Sequence, residues 1–463
     1  MLRIYWQIIR GIMGVTNMRI VSDLHIHSRF SRATSKDLTI PNLEKYARLK
    51  GLSLLGTGDF THPLWLKELK ETLSDDESGI YKTSSGFNFI LQTEISSIYT
   101  QDGRGRRVHN IILAPNFEVV EQINAELLKR GRLDYDGRPI FNLPCPELVE
   151  MMRKISQDIE IIPAHAWTPW FSIFGSSSGF NSVEECFGDQ ARHIHALETG
   201  LSSDPAMNWR LSSLDKYTLI SNSDSHSFWP WRMGRECNIF ELKEPSYRNV
   251  IEVIRTRQGF KETIEFWPHE GKYHYDGHRN CNVVLEPKEA IKLNNICPIC
   301  KRPLTIGVLH RVEELADRPD GFMPKGAVPF RNLIPLSELI AGVTGGLPAS
   351  PKVWAEFNNL IKHFGNELNV LLDVNEAELR KAAPEKIADI IMRNRTQRIR
   401  FLPGYDGVYG VPVFDGSSEE EMREKQRKSM PAEDGKESQT KERKTAKKEH
   451  KEVKGQKGLS EFF

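Results

Sequence analysis

His25 and His27 stand one residue apart in SDLHIHS, Ser22 to Ser28, at the end of a short apolar run. Strand side chains alternate with a period of two, so both imidazoles face the same way. Protonated, the two rings would repel; neutral, they form half of a metal cage. Further ligand types close other short β-rich runs: Asp59 in GTGDF, Glu94 in QTEIS, His109 in RVHNI, His165 in PAHAW, Glu198 in ALETG, and Asp224 with His226 in NSDSH. Imidazole mixed with carboxylate suits Zn, Mn or Fe, whereas carboxylate oxygens alone would suit Mg better. So many ligands exceed the needs of one ion. They predict two or three divalent ions (Zn, Mn or Mg), able to clamp phosphoester oxygens and activate water at neutral pH. Glu198 is also a candidate for orienting a ligand from behind.

Placing such a set in one site demands a particular scaffold. From Met18 to about Phe266 the chain alternates β-rich runs, such as MRIVSDLHIH, LSLLGTGD, FNFILQTEIS, VHNIILAP, IEIIPAHAW and YTLISNSDSH, with helical stretches. Among the latter are TIPNLEKYARLKG, PCPELVEMMRKIS and SYRNVIEVIRTRQG. Repeated βα units with reactive side chains at the strand ends predict an α/β barrel whose site lies on one rim.

Beyond Phe266 the pattern changes. His278 and Cys281 in HRNC, with Cys297 and Cys300 in CPIC, have the spacing of a closed, tetrahedral structural zinc site made of two knuckles. His274 and His310 are reserve ligands. From about Pro335 to Arg400 the chain turns helical, with SPKVWAEFNNLIKHFG and NEAELRKAAPEKIADIIMRNR. Two basic runs, Arg104 to Arg107 and Arg393 to Arg400, are candidates for phosphate contact, the first favoured by its place beside His109. Trp167, Trp170, Phe171, Phe174, Phe228, Trp229 and Trp231 follow ligand-bearing runs and are expected to stack on or wedge between nucleotide bases.

A net charge of +1 over 463 residues means that any nucleic-acid contact comes from local patches, not a global field. Charged residues at 27% and hydrophobic ones at 39% are ordinary for a soluble globular protein of two to four domains. No run is long and apolar enough to span a membrane, and clustered cysteines read as metal ligands of a reducing compartment; a cytoplasmic location is expected. Residues 1–17 contain Arg3 and Arg10, lack a small-residue cleavage site, and read as an extension before Met18 instead of a signal peptide. From Ser417 to about Lys457 the composition collapses into Lys, Glu, Arg and Ser, which predicts a disordered tail. At its end, QKGLSEFF sets Gln456, Leu459, Phe462 and Phe463 in the pattern Gln-x-x-Leu-x-x-Phe-Phe. This resembles the peptide by which replication and repair enzymes grip the sliding clamp (PCNA), one helical turn offering Leu459 and two rings to a pocket.

The motifs DLHIHS, TEIS, VHNI, PAHAW and SDSH resemble those of the polymerase and histidinol phosphatase (PHP) family over roughly Met18–Phe266. The resemblance implies a distorted (β/α)7 barrel with a trinuclear metal site that hydrolyses phosphoesters, its ligands being His25, His27, Glu94, His109, His165, Asp224 and His226. One motif departs. The family's Thr-Asp-His reads GTGDFTHP here, with Phe60 in the histidine position, so Asp59 or His62 takes its place and the number of ions stays open. Barrel, zinc segment, helical region and clamp peptide together are similar to a DNA-repair endonuclease of this family. That implies incision 5′ to a deaminated base (hypoxanthine, uracil, xanthine) or an abasic site in DNA, leaving 3′-hydroxyl and 5′-phosphate ends. On this reading His25, His27, Glu94, Asp224, His226 and Arg107 carry the chemistry, with Glu94 bridging ions and His226 or Arg107 stabilising the leaving 3′-oxygen. The expected organisation is an N-terminal extension (1–17), a catalytic barrel (18–266), a zinc-binding domain (267–334), a helical DNA-binding domain (335–412), a disordered charged linker (413–455) and the clamp peptide (456–463). Two alternatives are a small-molecule phosphomonoesterase on the same barrel and a clamp-tethered DNA-binding scaffold without activity.

Overall fold

Short aliphatic and β-branched runs form the strands at the centre of the molecule, and the computed structural model describes residues 17–414 and 419–428. The N-terminal extension, most of the charged linker and the clamp-like peptide lie outside the described residues. The strands are β1 (Met18–Asp23), β2 (Leu54–Gly56), β3 (Tyr81–Lys82), β4 (Asn88–Gln101), β5 (Arg104–Ala114), β6 (Ile140–Phe141), β7 (Glu160–Pro163), β8 (Ala196–Glu198), β9 (Thr218–Ile220), β10 (Cys237–Leu242) and β11 (Phe260–Glu265). One curled sheet runs β11-β10-β1-β2-β4-β5-β7, with β3 and β6 on the flanks of β4, while β8 and β9 pair separately. Two backbone hydrogen bonds carry the ring across the gaps, Ala166 N to Glu198 O at 2.9 Å and His27 N to Ser225 O at 2.9 Å. Thus β1, β2, β4, β5, β7, β8 and β9 follow one another round a common axis, in a distorted PHP-type barrel.

A uniform βα repeat predicts parallel neighbours throughout, and the structure departs from it. Asp102 and Gly103 both adopt positive φ (52° and 73°), the turn that folds a two-residue hairpin. β4 and β5 are therefore antiparallel from Leu91 opposite Ala114 to Gln101 opposite Arg104, and β5 pairs antiparallel with β7. Glu94 and His109 consequently sit in mid-strand where this long hairpin crosses the site, not at strand ends.

Around the sheet pack α1 (Ile40–Lys50), α2 (Pro63–Thr72), α3 (Phe117–Leu128), α4 (Cys145–Ile155) and α5 (Tyr247–Thr256). Each presents an apolar stripe inward; α5 buries Tyr247, Val250, Ile251, Val253 and Ile254. Helix α1 stops at Gly51, whose φ of 103° is the left-handed cap that a side chain would resist.

The hairpin β12 (Asp276–His278) and β13 (Val283–Leu285), α6 (Pro287–Lys292) and the Cys297–Cys300 turn form the zinc-site unit, followed by α7 (Val308–Leu315) and β14 (Phe330–Asn332). β14 joins the edge of the main sheet beside β11. The helical region comprises α8 (Leu336–Thr344), α9 (Pro351–Phe364), α10 (Glu367–Leu372), α11 (Glu376–Ala382) and α12 (Glu385–Arg395), the last two separated at Pro384. A final hairpin, β15 (Arg400–Leu402) with β16 (Val411–Val413), precedes α13 (Glu419–Lys428). Helix α13 falls inside the stretch expected to be disordered; its single apolar residue, Met422, is buried against Leu402 and Val413 and anchors it. No helix among the described residues is long and apolar enough to cross a membrane.

Candidate metal centre

Both ligand-type histidines of DLHIHS project past the end of β1 with no solvent contact. They meet Glu94 from β4 and Asp224 from the loop after β9, and one ligand atom from each of the four lies within 4.8 Å of all the others. His27 Nε2 is 3.0 Å from Asp224 Oδ1 and 3.3 Å from Glu94 Oε2. His25 Nε2 is 3.6 Å from Asp224 Oδ1. A second group adjoins the first through Glu94, whose Oε1 lies 2.8 Å from His109 Nδ1 and 3.1 Å from His165 Nε2. Glu94 thus spends one oxygen on each group.

Three converging atoms, His25 Nε2, His27 Nε2 and Asp224 Oδ1, are buried without a hydrogen-bond partner. Unsatisfied buried polar atoms are costly, and several aimed at one point are what a divalent cation satisfies. The donor set fits such ions. Their orientation is enforced from behind. His25 Nδ1 donates to Glu198 at 3.1 Å, and Glu198 also accepts from the His165 backbone N–H (2.7 Å) and Asn222 Nδ2 (2.9 Å). His27 Nδ1 donates to Asp59 at 2.9 Å. These bonds fix the tautomer and leave each Nε2 lone pair facing the site.

Burial by itself would keep His25 and His27 neutral. Glu198 and Asp224 beside His25, and Asp59 and Asp224 beside His27, outweigh it and raise both rings well above the usual histidine range. The excess of negative charge that attracts protons here equally attracts a divalent cation. Burial lowers His109 to about 3, keeping it a neutral ligand type, and lowers His226 to about 4 with help from the neighbouring His27. Burial opposes ionisation of Glu94, yet His109 and Arg138 hold it well below the usual carboxylate range. Three non-glycine residues at the site, Asp59, His165 and Asp224, adopt positive φ of 43°, 30° and 47°. Such strain is characteristic of residues held for function.

The remaining sequence candidates divide. Asp59, expected as a ligand, is turned away: besides His27 it accepts from Ser28 N (2.6 Å), Ser28 Oγ (2.7 Å) and Ser31 Oγ (2.8 Å), so it orients His27. Phe60, in the histidine position, is buried in the core, and His62 stacks on Phe30 at 4.3 Å; neither Asp59 nor His62 joins the converging groups. His226 packs its ring 4.3 Å from that of His27 at the rim, outside the converging groups. Arg107 is exposed, its guanidinium 5.5 Å from the ring of Phe171, which itself packs on His109. Arg138 was not singled out by any motif. Its Nη1 donates to Glu94 Oε2 at 2.9 Å, and it arrives on a loop whose Gly137 is so close to Asp59 that a Cβ there would overlap the carboxylate. Nothing in its residue type separates it from the chain's surface arginines.

The aromatic expectation needs correction. Trp167 and Phe174 are core residues. Phe228, Trp229 and Trp231 stack between Tyr46 on α1 and Trp354 on α9, so they join barrel to helical region. Trp170 and Phe171 do face open space: a cavity of about 340 Å³ beside His165, bounded also by Glu270, Tyr273 and Tyr409. Burial, then Glu338, pushes Glu270 in its wall up to about 8. In the second basic run Arg393 and Arg395 serve as internal caps, donating to the carbonyls of Phe414 and of Val370, Leu371 and Val374.

His278, Cys281, Cys297 and Cys300 converge within 4.8 Å, with Cys300 Sγ 3.5 Å from His278 Nδ1. Four protein ligands with no open position fit a structural zinc site. Of the reserve ligands, His310 is bonded to Asp276 at 2.6 Å and His274 lines the cavity.

A curled PHP-type barrel carrying a two-lobed histidine and carboxylate cluster, with a zinc-type ligand set and a helical region beside it, defines the class as a metal-dependent phosphoesterase. Comparison with known proteins narrows the class. The structure resembles that of the lesion-specific endonuclease PfuEndoQ of Pyrococcus furiosus, with a TM-score of 0.78 and 32% identity over 88% of this chain and 99% of that one. It resembles equally a structure of endonuclease Q with a 27-mer duplex substrate bearing an abasic lesion at the active site (TM-score 0.76, 33% identity, 88% and 98% covered). The chain belongs to the endonuclease Q family. A family model described as the MJ0043 C-terminal domain matches residues 335–398. Protein MJ0043 of Methanocaldococcus jannaschii is 32% identical over 308 residues, 65% of this chain; the chain spans about a third (37%) of that relative's length.

Proposed function

We propose that this protein is a DNA-repair endonuclease that hydrolyses the phosphodiester 5′ to a deaminated base (hypoxanthine, uracil, xanthine) or an abasic site, leaving 3′-hydroxyl and 5′-phosphate ends. The observation that carries the reading is the convergence of unpartnered His25 Nε2, His27 Nε2 and Asp224 Oδ1 on Glu94, next to a cavity open beside His165. Bound at these residues, two or three divalent cations supply Lewis-acid activation of water and of the scissile phosphate. Glu94 ties the two ligand groups together, and Arg138 holds its carboxylate in place. Glu198 and Asp59 fix the ring planes of His25 and His27. His226 and Arg107, at the rim, are the groups offered to the leaving 3′-oxygen. The cavity seats the damaged nucleotide swung out of the duplex, since deamination alters only the Watson–Crick edge and reading it requires extrusion. The helical region contributes DNA contacts, and Gln456, Leu459, Phe462 and Phe463 bind the sliding clamp (PCNA), bringing the enzyme to DNA in the cytoplasm.

The test is incision of an end-labelled duplex carrying one hypoxanthine, beside an undamaged duplex and the His25→Ala/His27→Ala protein. Metal-dependent cleavage on the 5′ side of hypoxanthine, absent from both controls, is expected. An intact damaged duplex together with hydrolysis of a phosphomonoester would replace the endonuclease reading by that of a small-molecule phosphatase.

A further inference from the structure

Helix α13 is charged at every position except Met422 and Gln426. These two are one helical turn apart, share a face, and are both buried. Met422 completes a small apolar cluster with Leu402, Val413 and Val411 of the β15–β16 hairpin. Gln426 Nε2 donates to the carbonyls of Tyr409 (2.8 Å) and Pro403 (3.3 Å), at the two ends of the loop joining those strands. A helix with so little apolar surface does not hold itself in place; among its described side chains the two buried ones both meet this hairpin, Met422 on its strands and Gln426 on the loop between them.

The loop forms part of the cavity wall. Its backbone is sewn to the segment 269–275: Gly404 N to His269 O at 2.8 Å, Gly407 N to Lys272 O at 2.9 Å, Gly410 N to Glu270 O at 3.0 Å, and Tyr275 N to Gly404 O at 2.9 Å. Gly410 lies so close to the His269 carbonyl that a Cβ would overlap it. Tyr409 and Gly410 line the cavity together with Trp170 and Phe171, and the Tyr409 ring is 5.4 Å from Lys272 Nζ.

We propose that α13 is a clasp on the cavity: Gln426 and Met422 are positioning residues that hold Tyr409 in place, and so set which damaged nucleotide is accepted without taking part in bond cleavage. Among the described residues, none in the hairpin or in α13 belongs to the converging ligand groups. The proposal rests on the reading of the cavity as the seat of the damaged nucleotide.

Full-length Gln426→Glu tests it, because the substitution keeps the side-chain shape while turning both N–H donors into acceptors facing two carbonyl oxygens. On a duplex with a single uracil, KM is expected to rise roughly tenfold with kcat unchanged, the size of effect a lost pair of buried hydrogen bonds gives. On a duplex with an abasic site, which has no base to read, the change is expected to stay under about twofold. Gln426→Lys, which restores a donor, is expected to recover most of the KM. Equal losses on both substrates, a fall in kcat, or no change on either would overturn the clasp. Tyr409→Ala separates the two layers. If it alters the ratio of uracil to abasic cleavage while Gln426→Glu does not, only the clasp is wrong. If it leaves that ratio unchanged, the cavity reading falls and the clasp with it.

Discussion

Glu94 offers one carboxylate oxygen to His27 and Arg138 and the other to His109 and His165, so the two ligand groups share a side chain. Residues that only touch these ligands are nearly as consequential. Glu198 accepts from the His25 ring, the His165 backbone and Asn222 at once. In Glu198→Gln an amide donor would confront a ring N–H or a backbone N–H, and affinity for the barrel metals is expected to fall about 10- to 100-fold in a competition titration. Unchanged affinity would refute the orienting role. A second residue-scale prediction concerns Glu265, fully buried between Thr199 and Thr263 and pushed up to about 8 by burial. Its folded pKa lies above its unfolded one, so the native state holds a proton that the unfolded state has released. Stability therefore declines as pH rises from about 4.5 through about 8, by at most about 1.4 kcal/mol per pH unit from this group. Glu265→Gln is expected to gain in melting temperature over the wild type progressively between pH 5 and pH 8; a constant difference would show that Glu265 does not titrate there.

At the scale of elements, the loop between β9 and β10 is the least self-sufficient part of the site, because it carries Asp224 and His226 yet has no regular structure. Asp23 pins both its ends, accepting from Ser223 N (3.1 Å), Ser223 Oγ (2.5 Å) and Gly234 N (2.9 Å). Its middle is held by the helical region: Lys50 Nζ at the end of α1 donates to Pro230 O (2.9 Å) and to Glu367 Oε1 (2.8 Å) at the start of α10, both side chains being buried. Removing one partner strands the other's charge. Lys50→Met is expected to cost about 3–5 kcal/mol in denaturant unfolding, and Lys50→Met/Glu367→Leu to recover most of it. A double variant no better than the single would mean that the pair itself, not the stranded charge, supplies the stability.

Over the whole molecule, the cavity exists only because three regions meet. Trp170 and Phe171 come from the barrel, Tyr273 and His274 from the approach to the zinc-site hairpin, and Glu338 and Tyr409 from the helical region and the final hairpin. The four zinc-type ligands hold β12, β13 and the Cys297–Cys300 turn around a small apolar cluster, Val283, Ala290, Cys297 and Leu304, with half-buried Leu285 packed against it. So small a core does not fold unaided, and metal binding energy becomes folding energy. Cys297→Ser/Cys300→Ser is expected to lose one tightly held zinc per chain by elemental analysis and to abolish lesion cleavage, while the barrel keeps its metal complement. Loss of all metals together would make the two sites interdependent.

The sequence by itself determined the ligand chemistry and the barrel. A two-residue period puts His25 and His27 on one side, a mixture of imidazole and carboxylate names the class of ion, and the spacing of His278, Cys281, Cys297 and Cys300 describes a closed tetrahedron, all within short stretches of chain. The β4–β5 hairpin was not read from the sequence: the Asp102-Gly103 pair carries a turn signal, but the βα rhythm around it predicts parallel strands. What only the tertiary structure decided is how side chains far apart in sequence divide one site: Glu94 between two histidine groups, Asp59 behind His27, Arg138 on Glu94, and the tryptophans after Asp224 spent on Trp354 instead of on a base. Those roles depend on angles and contacts of about 3 Å between strands and loops that do not adjoin in the chain. Residue type and local period carry no record of them, because the same carboxylate or guanidinium serves as ligand, orienter or surface charge according to what the fold places opposite it.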